Sequence, residues 1–210
     1  MSGLKIKRTT LSECATNCYF LSREGSSSVI VIDPGDEGRA LYDEFKEQGL
    51  TVEAILLTHG HFDHIGGVNA LKKYAGCKVY ALYEEREVLQ KPEVSMTLYY
   101  VGGQVVDADV YLHDGDEFTV CEIPFKVLHT PGHTVGSCCY YLKEEGILFS
   151  GDTLFYESVG RTDFPTGSQG ELLRSVKEKL FTLPGDTKVY PGHGEHTTIE
   201  HEMKYNPFCG

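Results

Sequence analysis

No stretch of this 210-residue chain approaches the run of roughly 20 apolar residues that a transmembrane helix needs. The first residues, Met1 to Arg8, lack the apolar core of a secretory signal, so the expected compartment is the cytoplasm, with no membrane partner. Paired cysteines are missing too: the chain has seven, an odd number, and no CxxC spacing. Cys14 with Cys18, or Cys138 with Cys139, are the pairs a metal or disulfide site would have to use. Small reduced core residues are the expected reading instead. Basic residues are scarce, 19 against 31 acidic ones, for a formal charge of −12. Such a chain has no overall pull toward phosphate backbones, which argues against a dedicated nucleic-acid binder. Low-complexity linkers and internal repeats are also absent, and the length suits a single domain over residues 1–210 with a full core.

What is present is a regular alternation of strand-like and helix-like runs. Ser28–Ile32 is β-branched and stops at the turn signal Asp33-Pro34-Gly35. Helical spacing of apolar residues follows over Arg39–Gln48, and Glu53–Leu57 reads as a second buried strand. Val68, Leu71 and Tyr74 share one face of the next helix, which Gly76 stops. A strand at Lys78–Ala81 and a polar helix at Glu84–Gln90 come next, the run Tyr83–Glu87 reading as a solvated face. Beyond Val105 the texture is β-rich, with strands expected at Glu117–Val120, Phe125–His129, Ser137–Leu142, Ile147–Ser150 and Lys188–Tyr190. A last helix is expected from Gly170 to Leu180. The mixture suggests an α/β or α+β architecture with helices covering sheet faces.

Directly after the second buried strand comes Thr58-His59-Gly60-His61-Phe62-Asp63-His64, with four ligand-type residues in six positions. Zinc takes imidazole nitrogen and carboxylate oxygen readily, usually in a tetrahedron. His59 and His61 can converge on one ion, and Asp63 and His64 can point to a second beside it. Three later strand ends each carry one more candidate in a Gly-containing turn: His133, Asp152 and His193. Alone each reads as a turn residue; together the seven suffice for two ions if one ligand is shared. His113, His196 and His201 have no such context, and Phe155 and Tyr156 read as core aromatics.

The set His59, His61, Asp63, His64, His133, Asp152 and His193 resembles the full ligand pattern of the metallo-β-lactamase superfamily. The resemblance implies a four-layer αββα sandwich, the metallo-β-lactamase fold, with the metals in a cleft at one edge of the sheets. It implies that His59, His61 and His133 hold a first zinc, that Asp63, His64 and His193 hold a second, and that Asp152 bridges them. Iron or manganese are alternatives at either position. Asp33 would steady the ligand loop from behind. Within the superfamily, Gly151–Phe155, Gly160–Phe164 and Pro191–Gly194 are most similar to the glyoxalase II group in its short bacterial form.

That likeness implies hydrolysis of a small-molecule thioester similar to S-lactoylglutathione by a metal-bound hydroxide, with Asp63 as the catalytic carboxylate and Arg161 binding substrate. The family carries Lys where Arg161 falls, Tyr where Glu195 falls, and a helical extension where this chain ends about 17 residues after His193. These departures argue against tight glutathione recognition and leave the metal chemistry intact. An iron-dependent persulfide dioxygenase, similar through Gly160–Phe164, and a lactone hydrolase are the alternatives on the same fold.

Overall fold

The computed structural model describes residues 3–209; Met1 and Ser2, part of the start read above, and Gly210 lie outside them. Thr16–Arg23 shows why the chain layers as it does. Cys18 and Phe20 face one core while Tyr19 and Leu21 face another, the two-residue period of a strand buried on both sides. Ser28–Ile32 repeats the pattern, with Val29 and Val31 on one side and Ile30 and Ile32 on the other.

These runs belong to a six-stranded sheet in the order β1 (Leu4–Leu11), β2 (Thr16–Arg23), β3 (Ser28–Ile32), β4 (Thr51–Leu56), β5 (Lys78–Leu82) and β6 (Val110–Leu112). From β3 to β6 the strands are parallel. A second six-stranded sheet holds β7 (Glu117–Val120), β8 (Ile123–His129), β9 (Cys138–Leu142) and β10 (Ile147–Gly151). After the small hairpin β11 (Leu154–Phe155) and β12 (Ser158–Val159), this sheet is completed by β13 (Lys188–Pro191) and β14 (Thr197–Thr198). Strands β10 and β13 are parallel neighbours.

Three apolar cores separate four layers. The first lies between the outer face of sheet one and helices α1 (Gly38–Glu47) and α3 (Val68–Ala75), α2 (Phe62–Ile65) being the single turn that follows His61. The second fills the space between the sheets, with Phe125, Tyr140 and Phe149 among its largest fully buried side chains. Truncating Phe149 to Ala there would cost roughly 3–5 kcal/mol. Past α4 (Arg86–Gln90) and α5 (Thr97–Tyr100), the third core packs sheet two against α6 (Gln169–Glu178) and α7 (Ile199–Tyr205). The order is α, β, β, α, as the resemblance implied.

The expected strands and helices are found within two residues or so of their expected ends, with four informative exceptions. Glu84–Gln90 is not one polar helix: a 3₁₀ turn over Tyr83–Glu85 leads into α4, and although Tyr83, Glu84, Arg86 and Glu87 form the expected solvated face, Glu85, Val88 and Leu89 are buried. Tyr74 does not share the buried face of α3; it is exposed, stacked on Tyr42 and covered by the Arg39 guanidinium. Phe155 and Tyr156 are not core residues, since Phe155 is half-buried beside His193 and Tyr156 is exposed and stacked on His201. All seven cysteines are unpaired; five are buried, but Cys14 is exposed and Cys121 is intermediate. Among the described residues, no helix is long and apolar enough to cross a membrane.

Candidate metal centre

Every candidate ligand follows the C-terminal end of a strand, and those ends meet at one edge of the sandwich. His59 and His61 follow β4, His133 follows β8, Asp152 follows β10 and His193 follows β13, while Asp63 and His64 ride on α2. Parallel pairing of β3 with β4 and of β10 with β13 brings these turns side by side. Crevices outside the carboxyl ends of parallel strands are where ligand sites of such sheets form.

Two clusters result. Nε2 of His133 lies 2.8 Å from Nδ1 of His61 and 3.2 Å from Nε2 of His59. Beside it, Nε2 of His193 lies 3.4 Å from Nε2 of His64 and 3.2 Å from Oδ2 of Asp63. A tetrahedral ion with bonds of about 2.0–2.1 Å has ligand–ligand edges of about 3.3 Å. Asp152 stands between the clusters, its Oδ1 3.3 Å from His64 and its Oδ2 3.5 Å from both His133 and His193. Only glycine fits at 192, because a Cβ there would lie 2.2 Å from Oδ1 of Asp152.

The outer partners of the imidazoles decide which nitrogen faces inward. Nδ1 of His133 donates to the Arg161 carbonyl at 2.7 Å, and Nδ1 of His193 to the Cys14 carbonyl at 3.1 Å. Nδ1 of His64 donates to Oδ2 of Asp33 at 2.9 Å. The Thr58 hydroxyl donates to the same carboxylate at 2.6 Å, so it accepts from Nδ1 of His59 at 3.1 Å. With their Nδ1 protons so committed, all four imidazoles turn Nε2 to the cleft, as a free lone pair on His59 and His133 and, on His64 and His193, as one freed when a metal displaces the second proton. Oδ1 of Asp152 is buried without a hydrogen bond, although Nε2 of His64 is near it out of bonding geometry. Four converging imidazole nitrogens around a buried carboxylate with an unbonded oxygen call for cations, so the residues present fit metal ions.

Electrostatics separate the clusters. Burial pushes His59 and His133 down and, with His133 adding to it, takes His61 down to about 3, so this trio is neutral. Burial also opposes charge on His64, but Asp152, Asp63 and Asp33 overcome it and hold that imidazole well above its ordinary range. His193 is raised to about 9 in spite of burial by Asp152 and Asp63. Asp63, although burial opposes its charge, is held down to about 2 by His64 and His193 and stays ionised.

Asp33 receives the Thr58 backbone N–H at 2.8 Å as well as the Thr58 hydroxyl and His64, which is the supporting place expected for it. Several supports carried no motif in the sequence. The Thr16 hydroxyl donates to Oδ2 of Asp63 at 3.0 Å. Asn17 Nδ2 donates to the Pro191 and Gly194 carbonyls and the Tyr19 hydroxyl to that of Pro191, tying the His193 turn to β2. Their one signal is polar residues inside a strand that is otherwise apolar on both faces.

Arg161 is at the rim, not among the ligands. Its guanidinium makes two 2.7 Å bonds to Asp163 and lies 4.0 Å over Phe164, whose edge meets His61. Glu195 is exposed and pairs with Arg8 at 3.6 Å. Phe62, stacked on Tyr100, completes an aromatic rim beside the ligand loop. Among the described residues, His113, His196 and His201 join no ligand cluster.

An αββα sandwich carrying two imidazole–carboxylate clusters at its strand ends defines a metal-dependent enzyme of the metallo-hydrolase kind. The sequence profile of the metallo-beta-lactamase superfamily matches residues 11–193, and the chain belongs to that superfamily. It is 37% identical to the probable metallo-hydrolase YqgX of Bacillus subtilis (strain 168), over 98% of this chain and 97% of that protein. It is 34% identical to the hydroxyacylglutathione hydrolase GloC of Haemophilus influenzae (strain ATCC 51907 / DSM 11121 / KW20 / Rd), over 91% and 92%. Among solved structures it is similar to BLEG-1 B3 metallo-beta-lactamase, with TM-score 0.90 and 40% identity over 98% of this chain and 99% of that one. TTHA1623 in a di-iron-bound form matches with TM-score 0.80 and 37% identity over 96% and 99%. ETHE1 from Myxococcus xanthus matches with TM-score 0.79 and 32% identity over 97% and 83%.

Proposed function

We propose that the chain, working as one domain, is a two-metal hydrolase that cleaves a small-molecule thioester similar to S-lactoylglutathione. The observation that carries this reading is Asp152 standing between two complete clusters, within 3.5 Å of a nitrogen from each. His59, His61 and His133 would hold one ion, Asp63, His64 and His193 the other, and Asp152 would bridge. The donor set suits zinc, and imidazole with carboxylate also accepts iron or manganese. The di-iron relative makes iron a concrete alternative. A pair of such ions supplies water acidified to near neutral pH and polarises an acyl carbonyl.

The chain's own residues supply orientation. The contacts of Asp63 with Thr16, His64 and His193 all fall on Oδ2. Oδ1 is therefore the oxygen left to accept a hydrogen bond from the attacking water and orient it, and this carboxylate remains ionised throughout the neutral range. The rings of Phe62, Tyr100 and Phe164 would exclude solvent from one side of the acyl group. A thiolate leaving group, with a free-thiol pKa of about 8.5, departs without a dedicated general acid.

Arg161 would meet a substrate carboxylate only by exchanging it for Asp163, and Arg8 at the opposite rim is already engaged by Glu195. Glutathione thioesters are thus expected to bind loosely, with a high KM and an appreciable kcat. The similarity to GloC supports the thioester class. Assay of a panel of thioesters and lactones against the metal-loaded protein tests the reading. Thioester cleavage should dominate, and a lactone preferred by tenfold or more in kcat/KM would replace the assignment.

A further inference from the structure

Beneath the ligand loops lies a carboxylate that takes no part in the site just described. Glu85, at the end of the 3₁₀ turn before α4, is 1% exposed. Its Oε1 accepts the Gly60 backbone N–H at 2.7 Å, from the residue between His59 and His61. Its Oε2 accepts the Thr134 hydroxyl at 2.9 Å and the Gly136 backbone N–H at 2.8 Å, both from the turn that carries His133. Glu85 is therefore hydrogen-bonded to both of the loops that supply the first cluster. The backbones are in close contact as well: a Cβ at Gly136 would lie 2.2 Å from the Glu85 nitrogen.

We propose that Glu85 is a positioning residue, a buried clamp that sets the spacing between the His59–His61 loop and the His133 turn so that three imidazoles meet at one ion. The proposal rests on the two-metal reading above. Three donors and no acceptor surround the carboxylate, so geometry calls for its ionised form. Burial pushes its pKa up to about 7, with the Gly60, Thr134 and Gly136 donors working against that rise. A buried carboxylate is costly wherever it is placed, and a site that needed only packing would be served by an apolar side chain. What a carboxylate adds is two acceptor oxygens held at a fixed separation, one for each loop. The second cluster is braced differently, through Asp33 on His64 and Thr16 on Asp63.

The proposal separates the two metal positions. Glu85→Gln preserves the shape but aims an amide NH₂ at either the Gly60 N–H or the Gly136 N–H, donor against donor. Cobalt(II) titration of the metal-free protein, followed by d–d absorption, reads affinity and ligand geometry without reference to activity. For wild type, two cobalt ions per chain are expected. In Glu85→Gln the His59/His61/His133 position should lose 10–100-fold in affinity, the range for lost outer partners of metal ligands, with an altered spectrum. The Asp63/His64/His193 position should stay within about threefold of wild type. Thr134→Val, which removes one donor and keeps the volume, should lower first-position affinity about three- to tenfold and serves if Glu85→Gln does not fold. Wild-type first-position affinity and spectrum in a folded variant would overturn the clamp. Failure of wild type itself to take two cobalt ions would instead overturn the two-metal reading.

Discussion

The two ligand clusters sit side by side and are built in opposite ways. The first is dry: His59, His61 and His133 are each no more than 2% exposed, neutral, and hydrogen-bonded outward to a threonine or a backbone carbonyl where they are bonded outward at all. The second is wetter and more acidic, with the His193 side chain 27% exposed and two carboxylates, Asp63 and Asp152, against its imidazoles. A pre-neutral trio accepts a cation without first releasing protons, whereas His64 and His193, raised by their carboxylates, must give theirs up. Tighter retention of an ion is therefore expected at the first position and readier exchange at the second.

Removing the shared ligand should have the largest effect. Asp152→Ala is expected to lose most of its metal and roughly a thousandfold in kcat/KM, about 4 kcal/mol of barrier. Full occupancy with full turnover in that variant would abolish the bridging role. His193→Ala sharpens the contrast: it should keep about one ion per chain while thioester cleavage falls on the order of a hundredfold. Equal loss of both ions would mean that the clusters are not separable. Asp33→Asn, whose amide nitrogen cannot accept from Thr58 or His64, should lower metal affinity about 10–100-fold, most strongly at the second position. An unchanged affinity would show that Asp33 only closes its turn. Arg161→Ala should change least, raising KM a few-fold for an anionic thioester with kcat held within about twofold. A collapse of kcat would place Arg161 in the chemistry and not at the rim.

How readily each cluster could be found in the sequence follows from the same architecture. Four ligand types between His59 and His64 are local, so their density alone is informative. His133, Asp152 and His193 are far apart in sequence and become a set only through parallel strands ending at one edge, which no local pattern announces. The αββα order came from the resemblance; residue periodicity showed helices and strands but not their pairing. Glu85 is hidden in the sequence because Tyr83-Glu84-Glu85-Arg86-Glu87 has the composition of a solvated face. Composition does not reveal that one of its carboxylates turns inward to three donors. Thr16 and Tyr19 are hidden for the related reason that a hydroxyl has no ligand spacing to betray it.

An enzyme with both clusters filled and hydrolysis as its reaction carries both properties in a single preparation. Metal analysis of freshly purified protein, run alongside an oxygen electrode with glutathione persulfide and a thioester assay on the same sample, reads both at once. Close to two divalent ions per chain, thioester cleavage and no oxygen uptake are expected. One iron per chain, with rapid oxygen uptake and no thioesterase activity, would make the protein an oxidoreductase instead.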